Sequence, residues 1–208
     1  MERTIVADWI NKERVGYWVG FFLSSENQQE VADLEAQLHK ELPDAIWTMP
    51  DTTQQHVTLF EIVMTFRGYA DCPDAIFERH RAGIDAELRA ALANQEPITV
   101  RFDTLEANPS AIILRGSDDG SLQRIRNAIS DKHLLPDGTR TPPDIIHSSL
   151  ARYVQAVDLE HVRSVVAGHQ LKLTQTVTEF EMARIWRMPM DYNTLEVYKL
   201  PMSTKHND

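Results

Sequence analysis

Two short runs, His56-Val57-Thr58-Leu59 and His147-Ser148-Ser149-Leu150, share the pattern His-x-[Thr/Ser]-Leu, and their histidines lie 91 residues apart. Both sit in stretches with strand character. In a strand, residues i and i+2 share a face, so each run presents an imidazole beside a hydroxyl while its leucine turns toward a core. Two such strands around one cleft would bring His56, His147, Thr58 and Ser149 together. Imidazoles titrate near pH 6.5 unperturbed, so one neutral and one protonated ring can act as base and acid near neutrality. The hydroxyl beside each ring can donate to a non-bridging phosphate oxygen. The set suits acid–base chemistry on a phosphate ester and calls for no metal and no cofactor.

The elements that must position these residues follow from patterning. A short helix is expected at Ile5–Lys12, then a buried strand from Val15 to Leu23. Ser24 and Ser25 supply a helix cap, and Val31, Leu34 and Leu38 fall at helical spacing up to Leu42. Pro43 and Pro50 bracket a loop around Ile46-Trp47, and the first motif strand spans His56 to Phe66. Pro73 opens a helix to about Ala93 with an apolar stripe of Ile76, Phe77, Ile84, Leu88 and Leu92. Ile98–Leu105 and Ala111–Arg115 pair across the Asn108-Pro109-Ser110 turn. A third helix starts at Asp118-Asp119-Gly120-Ser121 and carries Leu122, Ile125 and Ile129 as far as Leu134-Leu135. The second motif strand is Ile145–Tyr153, and Asp158 caps a fourth helix to about Ala167. Two long strands, Leu171–Trp186 and Tyr192–Leu200, are joined by a turn around Met188-Pro189-Met190. The tail from Ser203 to Asp208 is expected to be disordered. Strands and helices lack regular alternation, which predicts an α+β fold: antiparallel sheets with helices on their outer faces, in one domain spanning residues 1–208.

Bulk properties narrow the partners. The 208 residues carry 31 acidic against 21 basic side chains, a formal charge of -10. Proteins that hold long nucleic acid depend on cationic contacts to phosphate, so a small nucleotide or an oligonucleotide end fits better than a long duplex. The single cysteine, Cys72, cannot form an internal disulfide, which fits a reducing compartment. No signal-peptide core and no run of about 20 apolar residues is present. A cytoplasmic, soluble monomer without membrane contact is expected.

The paired motifs and their separation resemble the two-histidine phosphoesterase superfamily, which includes LigT-like 2′-5′ RNA ligases and cyclic nucleotide phosphodiesterases of RNA processing. The resemblance implies a bilobal molecule, with two pseudo-symmetric sheet lobes facing a groove and one motif from each. It implies His56 and His147 as catalytic residues, Thr58 and Ser149 as phosphate contacts, and hydrolysis of a 2′,3′-cyclic phosphate or a related cyclic or 2′-5′-linked nucleotide. RNA-end processing or ligation, and a non-catalytic nucleotide-binding module of the same fold, are the alternatives. Ser149 departs from the commoner threonine, and an N-terminal extension precedes the first strand.

Further substrate contacts are harder to place. Strand parity turns Arg152 and Glu61, each five residues past a motif histidine, away from the cleft, although a bulge would re-aim Arg152. Tyr153 shares the parity of His147 and is expected to flank the cleft. Trp47, Trp186 and Tyr192 are candidates to stack on a nucleobase, while Trp18 is assigned to the core. His39, His80, His133, His161 and His169 lie on or beside helices, His206 in the tail, and all are expected at the surface. Ser148 points away from the cleft.

Overall fold

The computed structural model describes residues 2–187 and 191–201; the expected turn around Met188-Pro189-Met190, the tail from Ser203 to Asp208 and His206 lie outside them. The described strands form one antiparallel sheet. They are β1 (Glu13–Phe22), β2 (Ile46–Thr48), β3 (His56–Val63), β4 (Ile98–Asn108), β5 (Ala111–Ser117), β6 (Ile146–Tyr153), β7 (Leu173–Val177), β8 (Glu179–Arg187) and β9 (Asp191–Lys199). Their order is β7-β4-β5-β6-β3-β1-β8-β9, with β2 added beside β6. The expected α+β class is observed, and its two lobes are the two halves of this sheet, β7-β4-β5-β6 with β2 and β3-β1-β8-β9. They meet where β3 lies beside β6, so the motif strands are neighbours at the joint.

The expected single strand Leu171–Trp186 is instead two strands that break at Thr178. β7 pairs with β4 at one end of the sheet, and β8 pairs with β1 near the other. One connecting residue can span the two ends only if the sheet curls until they approach. Leu200 donates its backbone N–H to Thr178 O at 2.8 Å and fastens the crossing.

The helices follow their local signals. α1 (Ser25–Glu41) is capped by Ser24, whose Oγ accepts from Asn27 N. α2 (Pro73–Leu92) begins at its proline. α3 (Ser121–Asp131) is preceded by Asp118 and Asp119, which accept from the free N–H groups of its first turn. It stops short of Leu134-Leu135, because the chain turns at His133, where φ is 52°. α4 (Leu159–Ala167) is capped by Asp158. α2 and α3 cover the β3–β1 half, and α1 and α4 cover β6, β7 and β4. The stripes Val31/Leu34/Leu38 and Ile84/Leu88/Leu92 are buried beneath them.

No helix forms at Ile5–Lys12. The segment is extended and then turns through Asn11, at φ 64°. Its backbone groups bond to another part of the chain: Thr4 N to Val157 O at 2.9 Å, and Ala7 N to Tyr153 O at 2.7 Å. These tertiary bonds replace the helical ladder and lay the segment beside the end of β6.

Candidate active site

β3 and β6 share one backbone register pair, Val57 with Ser148. Antiparallel register about that pair carries His56 toward Ser149 and Thr58 toward His147 on the opposite face. All four side chains line one cleft. Each motif histidine therefore sits across from the other motif's hydroxyl.

The two motifs also share a distortion. On β3, Gly20 of β1 pairs with Thr58 and Val19 with Phe60, leaving Leu59 as an extra residue. On β6, Ile113 of β5 pairs with Ser149 and Ile112 with Ala151, leaving Leu150 extra. A bulge reverses the facing of everything beyond it. Leu59 and Phe60 are consequently both buried, as are Leu150 and Ala151, and both Glu61 and Arg152 turn into the cleft. Regular parity directs them away. The same shift removes Tyr153: it is fully buried and donates its hydroxyl to Asn108 O at 3.0 Å, so it does not flank the cleft.

Arg152 Nη2 donates to Ser149 Oγ at 2.9 Å, which leaves the hydroxyl proton of Ser149 free to donate into the cleft. Its guanidinium lies 5.6 Å from the ring centre of Trp9, on the N-terminal segment. Glu61 Oε2 lies 2.8 Å from Arg140 Nη2, an ion pair off the line of a hydrogen bond.

The histidines differ in their second nitrogen. His56 Nδ1 lies 2.9 Å from Gln54 O, and because a carbonyl only accepts, Nδ1 carries the proton and Nε2 is left for the cleft. His147 Nδ1 is buried with no partner among the described residues. Burial, then the positive field of Arg152, Arg126, His56 and Arg140, pushes His147 down to about 4. Burial also lowers His56, Arg152 adds to that, and the Gln54 carbonyl opposes both.

Aromatic rings complete the walls. Trp18 is only 2% exposed, as expected of a core residue, yet it lines the cleft with its ring 5.0 Å from His56. Gly20 makes this possible, since a Cβ there would stand 2.1 Å from the Trp18 ring. Trp47, Trp9, Phe66 and Met49 also face the cleft; Trp186 and Tyr192 are outside its lining, with Tyr192 packed on Phe22 at 5.3 Å. No other described histidine lines it. His80 and His169 are half-buried rather than on the surface: His80 Nδ1 lies 2.9 Å from Leu134 O, and His169 Nε2 lies 2.6 Å from Glu41 Oε1. Among the described residues, no three His, Cys, Asp or Glu side chains cluster as a metal site. No described helix is long and apolar enough to cross a membrane.

On the far face, directly behind the motifs, a buried polar chain runs from α1. Ser148 Oγ donates to Gln55 Oε1 at 3.2 Å, and Gln55 Nε2 donates to Glu35 Oε1 at 2.5 Å. Burial pushes Glu35 up to about 8, so its carboxyl is largely protonated at neutral pH.

Residues 49–187, which include both motifs, match the model of the 2′-5′ RNA ligase superfamily. The chain belongs to that superfamily, the two-histidine phosphoesterases. Solved structures share the fold at low identity. TT0787 of Thermus thermophilus is 16% identical over 89% of this chain and 97% of its own, with a TM-score of 0.58. E. coli LigT complexed with NADP+ is 17% identical over 90% and 98%, with a TM-score of 0.60. The MHV ns2 PDE domain is 14% identical over 82% and 98%, with a TM-score of 0.52. No curated protein matches the chain.

Proposed function

We propose that this two-histidine phosphoesterase is a metal-independent phosphodiesterase that opens a 2′,3′-cyclic phosphate, or a related cyclic or 2′-5′-linked nucleotide. One observation carries the reading: both histidines, both motif hydroxyls and Arg152 converge on one cleft. Thr58, Ser149 and Arg152 bind the phosphate oxygens, where hydrogen bonds to developing charge lower the barrier. His147, held neutral by burial and four neighbouring cations, takes a proton from water at Nε2 as the oxygen attacks phosphorus. His56 is the acid. Its Nδ1–H bond to Gln54 O supports the cationic ring, and a bound anion offsets the Arg152 field, so Nε2–H protonates the departing ribose oxygen. One P–O bond forms, one breaks, and water is added overall to leave a phosphomonoester. The indoles of Trp9, Trp18 and Trp47 offer apolar walls to the attached nucleoside.

Small nucleotides suit the acidic charge of the chain, and LigT has been crystallised with 3′-AMP, ATP and NADP+. The test is turnover by purified protein, with EDTA present, of 2′,3′-cyclic nucleotides, ADP-ribose cyclic phosphate and 2′-5′ dinucleotides. Phosphomonoester release that is lost in both His56→Ala and His147→Ala supports the reading. No turnover of any member of the panel defeats it.

A further inference from the structure

Arg126 is the most deeply buried cation described, 1% exposed on the apolar face of α3, and among the described residues no carboxylate lies within ion-pair distance of it. Instead its guanidinium is spent on carbonyls of β3 and of Ile145, the residue just before β6. Nε donates to Leu59 O at 2.9 Å, and Nη2 donates to Thr58 O at 3.2 Å and Ile145 O at 3.1 Å. Leu59 is the bulge residue of the first motif, Thr58 is its hydroxyl residue, and Ile145 is two residues before His147. Backbone pairing between β3 and β6 is limited to Val57 and Ser148, so these strands have little ladder to hold them in register. A planar fork with several fixed donors suits the bridging of three carbonyls, which a single ammonium cannot reproduce.

We propose that Arg126 is a positioning residue for catalysis: it clamps the joint between the motif strands and adds to the positive field at His147 from beneath the sheet. This rests on the two-histidine reading of the cleft. Arg126 does not line the cleft, so its effect on catalysis runs through the strands it holds. Around His147 the charged groups are Arg152 on its own strand, Arg140 on the preceding loop, His56 and Glu61 on β3, and Arg126 on α3. Asp118 and Asp144 are the acidic groups that act on Arg126, and neither bonds to it. Removing the Arg126 cation therefore relieves His147 of one positive neighbour, whose field Asp118 and Asp144 offset only in part.

The test compares Arg126→Met and Arg126→Lys with the wild type by histidine-selective NMR titration and by steady-state kinetics. In Arg126→Met the His147 midpoint should rise by about half a pH unit or more, the direction expected when a like charge leaves. Its kcat should fall by about 100-fold, the scale of an ångström-level misplacement, with KM changed far less. Arg126→Lys should keep the His147 midpoint near wild type while recovering only part of kcat. The NMR titration needs no substrate, so it stands even if the assumed phosphodiester proves wrong. An unmoved His147 midpoint in a folded Arg126→Met overturns the electrostatic role. Should Arg126→Met fail to fold, Arg126→Lys decides, and wild-type kcat in that variant overturns the clamp.

Discussion

Glu61 and Arg152 occupy equivalent places in the two halves of the sheet, each five residues past a motif histidine and each turned into the cleft by a bulge at the motif leucine. The repeat thus extends past the four-residue pattern to a backbone irregularity and a charged side chain. Its symmetry ends at the sign of that charge. Arg152 lies beside Ser149 and makes that end of the cleft cationic, whereas Glu61 holds Arg140 at the other.

This polarity predicts how Arg152 variants behave. Arg152→Met should weaken phosphate binding and lower kcat/KM by about 10- to 100-fold, since a hydrogen bond to a charged group contributes roughly 1.5–3 kcal/mol. Arg152→Lys should recover only part of this, because an ammonium can neither fork between Ser149 and phosphate nor stack on Trp9. Equal kcat/KM in wild type and Arg152→Met would show that the arginine serves packing alone.

The motif side chains should separate by size of effect. His56→Ala and His147→Ala are each expected to lower turnover by about two to four orders of magnitude, the usual range for a general acid or base. Thr58→Ala and Ser149→Ala should each lose less. If either histidine variant keeps near-wild-type turnover, that ring is structural.

The histidine spacing, the four helices and most strands were legible because they rest on local periodicity and capping. Facing beyond the motifs was not, since Leu59 and Leu150 become bulges only through their register against β1 and β5, distant in sequence. Regular parity alone therefore turns Arg152 away from the cleft and Tyr153 into it. A local signal for the buried polar groups did exist. Arg126 falls four residues after Leu122 and three before Ile129, and Glu35 four after Val31, so each interrupts an apolar stripe. The N-terminal segment gave no such sign, because its backbone partners Pro109, Tyr153 and Val157 are distant in sequence.

Glu35 predicts a pH effect on stability that is independent of activity. Its carboxyl is raised from an ordinary value near 4.5 to about 8, so between those pH values the folded chain binds a proton that the unfolded chain does not. The stabilisation is complete below the lower value and is lost as pH rises through the upper one. Wild-type Tm should therefore fall between pH 6 and 9 more steeply than that of Glu35→Gln, which keeps a neutral partner for Gln55. A gap on the order of 5 °C at the alkaline end is expected. Parallel Tm curves would mean that Glu35 is ionised in the fold or exposed to water.

The last prediction concerns pH and metal, and it tests mechanism apart from substrate identity. The proposed mechanism needs one histidine neutral and the other protonated, so activity should follow a bell. Both rings are lowered in the free protein, which places the kcat/KM optimum on the acid side of 6.5. A bound phosphate anion raises both, so the kcat profile should lie at higher pH than that of kcat/KM. The limbs belong to the coupled pair, and neither limb alone assigns a ring. In the proposed mechanism phosphate is held by hydroxyls, imidazolium and Arg152, so EDTA should leave the rate unchanged. A metal-activated water would instead give loss with EDTA and recovery with added divalent ion. That result would overturn two-histidine acid–base catalysis even if both rings proved essential, because His56 and His147 would then act as ligands.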